Sequence, residues 1–252
     1  MIRGLIAALG LLALWQGFVL LTGVPPFLLP SPLRVAEAFV ARWDIILGHA
    51  AVTLAEILAG LVLGSALGAS MALLLSAWPA GRRWLLPVML TAQAVPVFAI
   101  APLLTLWFGF GMASKVVMAT LIIFFPVAAA FYDGLRRTET GFLDLAATMG
   151  ARPAATLLRV QLPAALPALA SGLRVAAAVA PIGAVVGEWV GASAGLGYLM
   201  LHANGRSQAD LMFAALFVLV LIALALWFAT DRLLRLALPW QADTLAHGDR
   251  HP

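Results

Sequence analysis

Cysteine is missing from this chain altogether, and lysine occurs once, at Lys115. The first absence excludes disulfides, thiolate-ligated zinc and thiol catalysis within the chain. The second excludes a P-loop, which needs Gly-Lys-Ser/Thr after its glycine-rich turn, because Val116 follows the single lysine. Charge of either sign is scarce: 10% of residues are charged against 63% hydrophobic, with a mean hydropathy of +1.04. That balance excludes an ordinary soluble domain. The few histidines offer little chemistry. His49 and His202 stand alone, while His247 and His251, with Asp243 and Asp249, fall in a polar tail at 241–252 that reads as solvated, so no metal site is expected. GASAG at 191–195 has the Gly-x-Ser-x-Gly spacing around Ser193. A nucleophile there needs a strand-turn-helix setting, a histidine base and an oxyanion site, and none is recognisable.

Long apolar runs are what the chain does have. A membrane-crossing helix needs ~20 predominantly apolar residues, and six segments provide them: 4–23, 51–77, 85–108, 114–134, 166–191 and 211–238. The first is not read as a cleaved leader, because the run is long and TGVPP follows it in place of small residues. The expected fold is therefore an all-α polytopic membrane protein, one transmembrane domain over 1–240. Arginine and lysine near helix ends stay on the cytoplasmic side. With the N-terminus inside, Arg3, Arg82, Arg83, Arg136, Arg137, Arg152, Arg159, Arg174, Arg232, Arg235 and Arg250 lie inside, and only Arg34, Arg42, Lys115 and Arg206 outside. This asymmetry accounts for the net charge of +4 without any appeal to nucleic acid.

Within these runs the unusual residues are proline, glycine and two carboxylates. Pro96 and Pro102 interrupt the third segment, Pro126 the fourth and Pro181 the fifth, each removing a backbone donor. Such breaks suit a pathway that opens and closes, although proline also serves plain packing in membrane helices. Gly60, Gly64 and Gly68 recur every four residues and form a ridge for close helix contact. Glu56 and Glu188 sit well inside helices, where a charge costs ~3 kcal/mol on insertion scales. Glu56 reads as a partner for a neighbouring helix. Glu188 reads as a pathway residue, because Gly187 and Gly191 on either side of it let backbone or substrate approach. Gln93, just before Pro96, presents an amide either to a polar solute or to another helix. Residues 192–208 are too polar and glycine-rich for a crossing and read as an external loop, in part re-entrant.

The stretch 144–163, DLAATMGARPAATLLRVQLP, is the most informative. Phe142, Leu145 or Ala146, and Met149 recur at helical spacing, with Glu139, Asp144 and Thr148 off that stripe. Gly150 suits the left-handed position that stops a helix, and Pro153 the first turn of a second helix that ends at Leu162-Pro163. Two amphipathic turns on a loop between apolar segments make a docking surface.

This order of residues resembles the cytoplasmic "EAA" loop of ABC importer membrane subunits: Glu-Ala-Ala, three residues, Gly, nine residues, an aliphatic, any residue, Leu-Pro. Gly150, Val160, Leu162 and Pro163 fall on that spacing. Asp144 stands where the family has Glu, and Leu145 where it has the first Ala. The resemblance implies a type I importer transmembrane fold in which Asp144, Ala146, Met149, Gly150, Ala151, Val160, Leu162 and Pro163 form the coupling region, within a loop spanning 139–163. PPFLLPSPLRVAEAF, QAVPVFAIAPLLTLWFGFG and GEWVGASAGLGYLM look like the nitrate, sulfonate and taurine branch of binding-protein-dependent permeases. The run SGLRVAAAVAPIGAVVGEWVGASAGLGYLM with FFPV and DGLR is most similar to permeases for thiamine-pyrimidine precursors.

The resemblance also implies a transport subunit, not an enzyme, in a bacterial inner membrane with its coupling loop in the cytoplasm. Its implied partners are a separate ABC ATPase that binds ATP and magnesium, an extracytoplasmic solute-binding protein and a second permease copy. No cofactor is expected in this chain. Candidate pathway residues are Gln93, Pro96, Gly187, Glu188 and Gly191. Sulfonate, taurine or nitrate remain alternative cargoes, and a secondary transporter or channel the alternative of another class.

Overall fold

The computed structural model describes residues 2–241; the histidines and aspartates of the tail lie outside them. Helices α1 (Ile2–Thr22), α2 (Pro32–Ala41), α3 (Trp43–Ala77), α4 (Pro79–Gln93), α5 (Val97–Phe108), α6 (Met112–Arg136), α7 (Thr140–Thr148), α8 (Pro153–Thr156), α9 (Leu162–Gly191), α10 (Leu196–Gly205) and α11 (Ala209–Ala237) succeed one another without a strand among the described residues. A π-helical turn, Leu157–Gln161, joins α8 to α9. Among the described residues, four helical runs are long and apolar enough to cross a bilayer: α3, α6, α8 through α9, and α11. The expected third crossing at 85–108 is instead a bent pair, α4 and α5, meeting at 99°. Pro96 is the cause. It lacks a donor, takes an extended conformation as the N-cap of α5, and disfavours helix at Val95 before it. Pro102, Pro126 and Pro181 lie inside helices that continue past them.

Lipid tails are as apolar as leucine, so helices in a bilayer associate through close van der Waals contact more than through hydrophobicity. The core obeys that rule. α6 lies between α3 and α9, and both neighbours meet it with glycine. A Cβ on Gly64 would stand 2.9 Å from the carbonyl oxygen of Thr120, one on Gly68 2.8 Å from that of Phe124, and one on Gly183 2.7 Å from Cα of Ala119. The Gly60–Gly64–Gly68 ridge thus faces α6. α11 is tied to α9 by an ion pair, Arg174 to Asp231 at 2.8 Å, to which Arg235 adds a second contact at 2.8 Å. α1 meets α2, and its Trp15 ring lies 5.8 Å from Phe213 of α11, tilted by 35°. Large apolar side chains of α1, α3, α5 and α11 point outward, as a lipid-facing surface requires.

The structure corrects two expectations and refines a third. Residues 192–208 are not a loop but hold α10, whose Leu196, Leu199, Met200 and Ala203 are buried against Ile46, Ala50, Leu211 and Ala215. Two of the glycines that suggested a loop, Gly195 and Gly197, serve close packing against Glu188 instead. Lys115, expected on the external side, is buried in the first turn of α6. Leu162-Pro163 does not end a helix. In the π-helical turn the Leu162 N–H bonds the Leu157 carbonyl five residues back, and this widened turn gives room where the Pro163 ring would crowd a regular helix. The run from Pro153 to Gly191 therefore continues for 39 residues.

Candidate functional site

The two ends of α9 carry two different constructions. At its N-terminal end, α7 stops in a Schellman turn: Ala151 N–H donates to Ala146 O at 2.9 Å and Gly150 N–H to Ala147 O at 3.0 Å. Gly150 sits at φ +72° with open space around the place of a Cβ. Its glycine is thus demanded by backbone conformation, not by crowding. Pro153 then opens α8 at its first turn. Ala146 is buried and seats α7, whereas Phe142, Leu145 and Met149 are exposed, Met149 by 78%. An apolar helix face with no partner in its own chain marks an interaction surface. Val160 and Leu162 are half-buried in and just after the π-helical turn, with Pro163 exposed beside them.

About 45 Å away along the thirty residues of α9, the other end is built from buried polar groups. Glu188, within the last turn of α9, is 1% exposed. Its Oε1 accepts from the Thr53 hydroxyl of α3 at 2.6 Å, and its Oε2 accepts from the backbone N–H of Gly197 and, at 3.3 Å, of Tyr198. Leu196 N–H donates to Thr53 Oγ1 at 2.7 Å and Gly195 N–H to His49 Nδ1 at 3.0 Å. The first N–H groups of α10, which no helix can satisfy internally, are thus accepted by side chains of α3 and α9. Glu56 of α3 is also buried, 2% exposed, and lies near Glu188 and Lys115. Lys115 completes the group. Its ammonium donates to the carbonyls of Phe110, Gly111 at 2.8 Å and Gly191 at 2.7 Å, so it joins the α5–α6 turn to the C-terminus of α9, where a cation is favoured.

Residues 60–242 match the family model described as binding-protein-dependent transport system inner membrane component. The chain belongs to this family. A protein of Haemophilus influenzae described as a probable ABC transporter permease protein is 57% identical over 224 residues, covering 89% of this chain and 91% of the relative. The riboflavin transport system permease protein RibX of Chloroflexus aurantiacus is 39% identical over 239 residues, at 92% and 88% coverage. The formylaminopyrimidine transport permease protein ThiX of Halalkalibacterium halodurans is 36% identical over 232 residues, at 92% of both chains. Among solved structures, a chain from inward-facing MetNI methionine ABC transporter superposes with a TM-score of 0.67 over 77% of this chain and 97% of its own, at 22% identity. The fold is that of a type I importer transmembrane domain. This is a multi-pass membrane permease subunit and not an enzyme.

On the permease, the coupling residues expected from the sequence gather at one end of α9, and the pathway candidates divide. Gln93 and Pro96 are exposed at the α4–α5 bend. Gly187, Glu188 and Gly191 are enclosed by protein: a Cβ on Gly187 would meet Lys115 Cγ at 3.0 Å, and one on Gly191 would meet Thr105 Cγ2 at 2.7 Å. The close approach those glycines permit is made by side chains of α5 and α6. Ser193 is exposed on a helix-to-helix turn, not on a strand-turn-helix elbow. Sequence reasoning passed over Thr53, His49 and Lys115. A lone lysine in a chain with two intramembrane glutamates was the available signal, since buried charges need partners.

Proposed function

We propose that this chain forms, as a homodimer, the pathway by which a separate ATPase drives uptake of a thiamine-pyrimidine precursor delivered by an extracytoplasmic binding protein. The observation that carries the coupling part of this reading is the exposed Phe142–Leu145–Met149 face held by the Gly150 turn. It supplies an apolar helix for a partner's groove, and its connection through the π-helical turn to the 30-residue α9 supplies a lever across the membrane. Asp144, Met149, Gly150 and Ala151 form the contact, Ala146 seats it, and Val160, Leu162 and Pro163 form the joint to α9. ATP and magnesium bind the partner. The N-terminus and this loop face the cytoplasm. Gln93 and the Pro96 bend line the passage.

The 36% identity with a formylaminopyrimidine permease supports the cargo, and the 39% identity with a riboflavin permease names its competitor. Both solutes carry a pyrimidine ring. The test is uptake by proteoliposomes holding the permease with its copurifying ATPase and binding protein. The expected result is accumulation of a labelled aminopyrimidine that needs ATP, survives a proton ionophore and is not displaced by taurine. Accumulation without any ATPase would overturn the coupling reading, and displacement by riboflavin alone would move the cargo to the flavin.

A further inference from the structure

We infer that Thr53 and Glu188 are positioning residues that clamp α10 as the closure of the bundle end opposite the Gly150 loop. α10 has no capping side chain of its own: its N-cap is Gly195, at φ +112°. In place of a local cap, Gly195, Leu196, Gly197 and Tyr198 donate to His49, Thr53 and Glu188 on two other helices. A Cβ on Gly195 would run into the Glu188 carboxyl group, and one on Gly197 would stand 2.7 Å from Oε2, so both glycines are shaped to this seat. The Thr53 hydroxyl has a double part, donating to Glu188 and accepting from Leu196. One short side chain therefore links α3, α9 and α10. Arg42, between α2 and α3, adds a further tie to Gln208 in the α10–α11 turn at 3.1 Å.

The seated face of α10 is apolar and covers the ends of α3 and α11 through Leu199, Met200 and Ala203. Its other face carries Tyr198 and His202, stacked at 4.0 Å, with His49 alongside Tyr198 at 5.8 Å. A helix lying across a bundle end closes that end when seated and opens it when lifted. The seat rests on polar groups whose hydrogen bonds are directional, so hydroxyl and carboxylate, not side-chain volume, decide whether it holds. On the proposed transport function, a seated α10 keeps solute from leaking past the far end while the ATPase turns over.

The chain's lack of cysteine makes the test direct. Ala203→Cys places a thiol under α10, and Ala165→Cys places one in the core near the coupling end, both sites being buried. Maleimide labelling of each is measured in membranes for the full permease, alone and with Thr53→Val, Thr53→Ser or Glu188→Gln. The expected result is labelling at position 203 that rises about tenfold with Thr53→Val and Glu188→Gln, the factor a lost cap brings to a local opening. Position 165 stays unchanged, and Thr53→Ser restores protection. In proteoliposomes with the ATPase, solute taken up per ATP hydrolysed falls in the same variants and returns with Thr53→Ser. Wild-type labelling at 203 in both Thr53→Val and Glu188→Gln overturns the clamp, as does equal exposure of 203 and 165 in Thr53→Val and Thr53→Ser alike. Should Glu188→Gln fail to fold, the threonine pair decides. The labelling result stands whether or not ATP drives uptake, so a failed clamp is distinguishable from a failed transport reading.

Discussion

Two glycines held at positive φ, Gly150 and Gly195, mark the two ends of the molecule, and their surroundings are opposite. Around Gly150 there is nothing within 4 Å of a would-be Cβ, the helix before it exposes its apolar face, and the helix after it passes through a π-helical turn. Around Gly195 the Glu188 carboxyl fills the space, and the groups nearby are buried and bonded across α3, α6, α9 and α10. One end is built to receive something from outside the chain. The other is closed upon itself.

This contrast can be broken most sharply at the closed end. Gly195→Val must force a branched side chain into both an unfavourable φ and the Glu188 carboxyl, a combination costing about 3 kcal/mol or more. The expected outcome is little folded protein on gel filtration of the detergent extract, and a normal yield would show that the seat is softer than its geometry. Lys115→Met removes the cation from beside two carboxyl groups and takes a donor from three carbonyls, a loss on the order of 3 kcal/mol. The thermal midpoint of the detergent-solubilised permease should drop clearly below that of the parent.

At the open end stability and function should separate. Gly150→Val strains φ but meets no neighbour, so a cost of about 1 kcal/mol is expected in the folded chain. ATP-driven uptake should fall by about tenfold or more, as a misplaced coupling helix implies. Gly150→Asn is the sharper companion, since asparagine tolerates the left-handed conformation; it should keep most uptake. If Val and Asn behave alike, the turn's conformation is not what matters. The smallest effect is expected at Glu56→Gln. Glutamine keeps the size and polarity of the side chain, so the unfolding free energy should stay within about 0.5 kcal/mol of the parent, the range of an undisruptive substitution. A large drop there would mean that Glu56 acts as a charge.

Much of the open end was legible in the sequence. Gly150 stops α7, Pro153 starts the next helix and the apolar stripe is exposed, because capping, φ preference and helical period are local properties carried by a few neighbouring residues. The joint to α9 was less legible. Leu162-Pro163 reads as a stop, and only the π-helical register, set by five residues together, lets the helix continue. The closed end was nearly illegible. Glu188 stood out as an intramembrane carboxylate, yet Thr53 is 135 positions away and the Gly191 carbonyl 76 positions from Lys115. No periodicity or spacing links such residues.

From the sequence alone it follows that the chain lives in a membrane, that its helices touch along glycine ridges, that one loop presents an apolar helix face ahead of a glycine stop, and that the chain carries no P-loop. These properties arise from composition and from local stereochemistry, which act at any point of the chain without reference to the rest. Tertiary structure adds that the third apolar run folds into two helices at 99°, that α10 exists, and that buried Glu188 belongs to its seat. A buried polar group takes whichever partner the packing brings within hydrogen-bonding distance, and that proximity exists only once the helices are assembled.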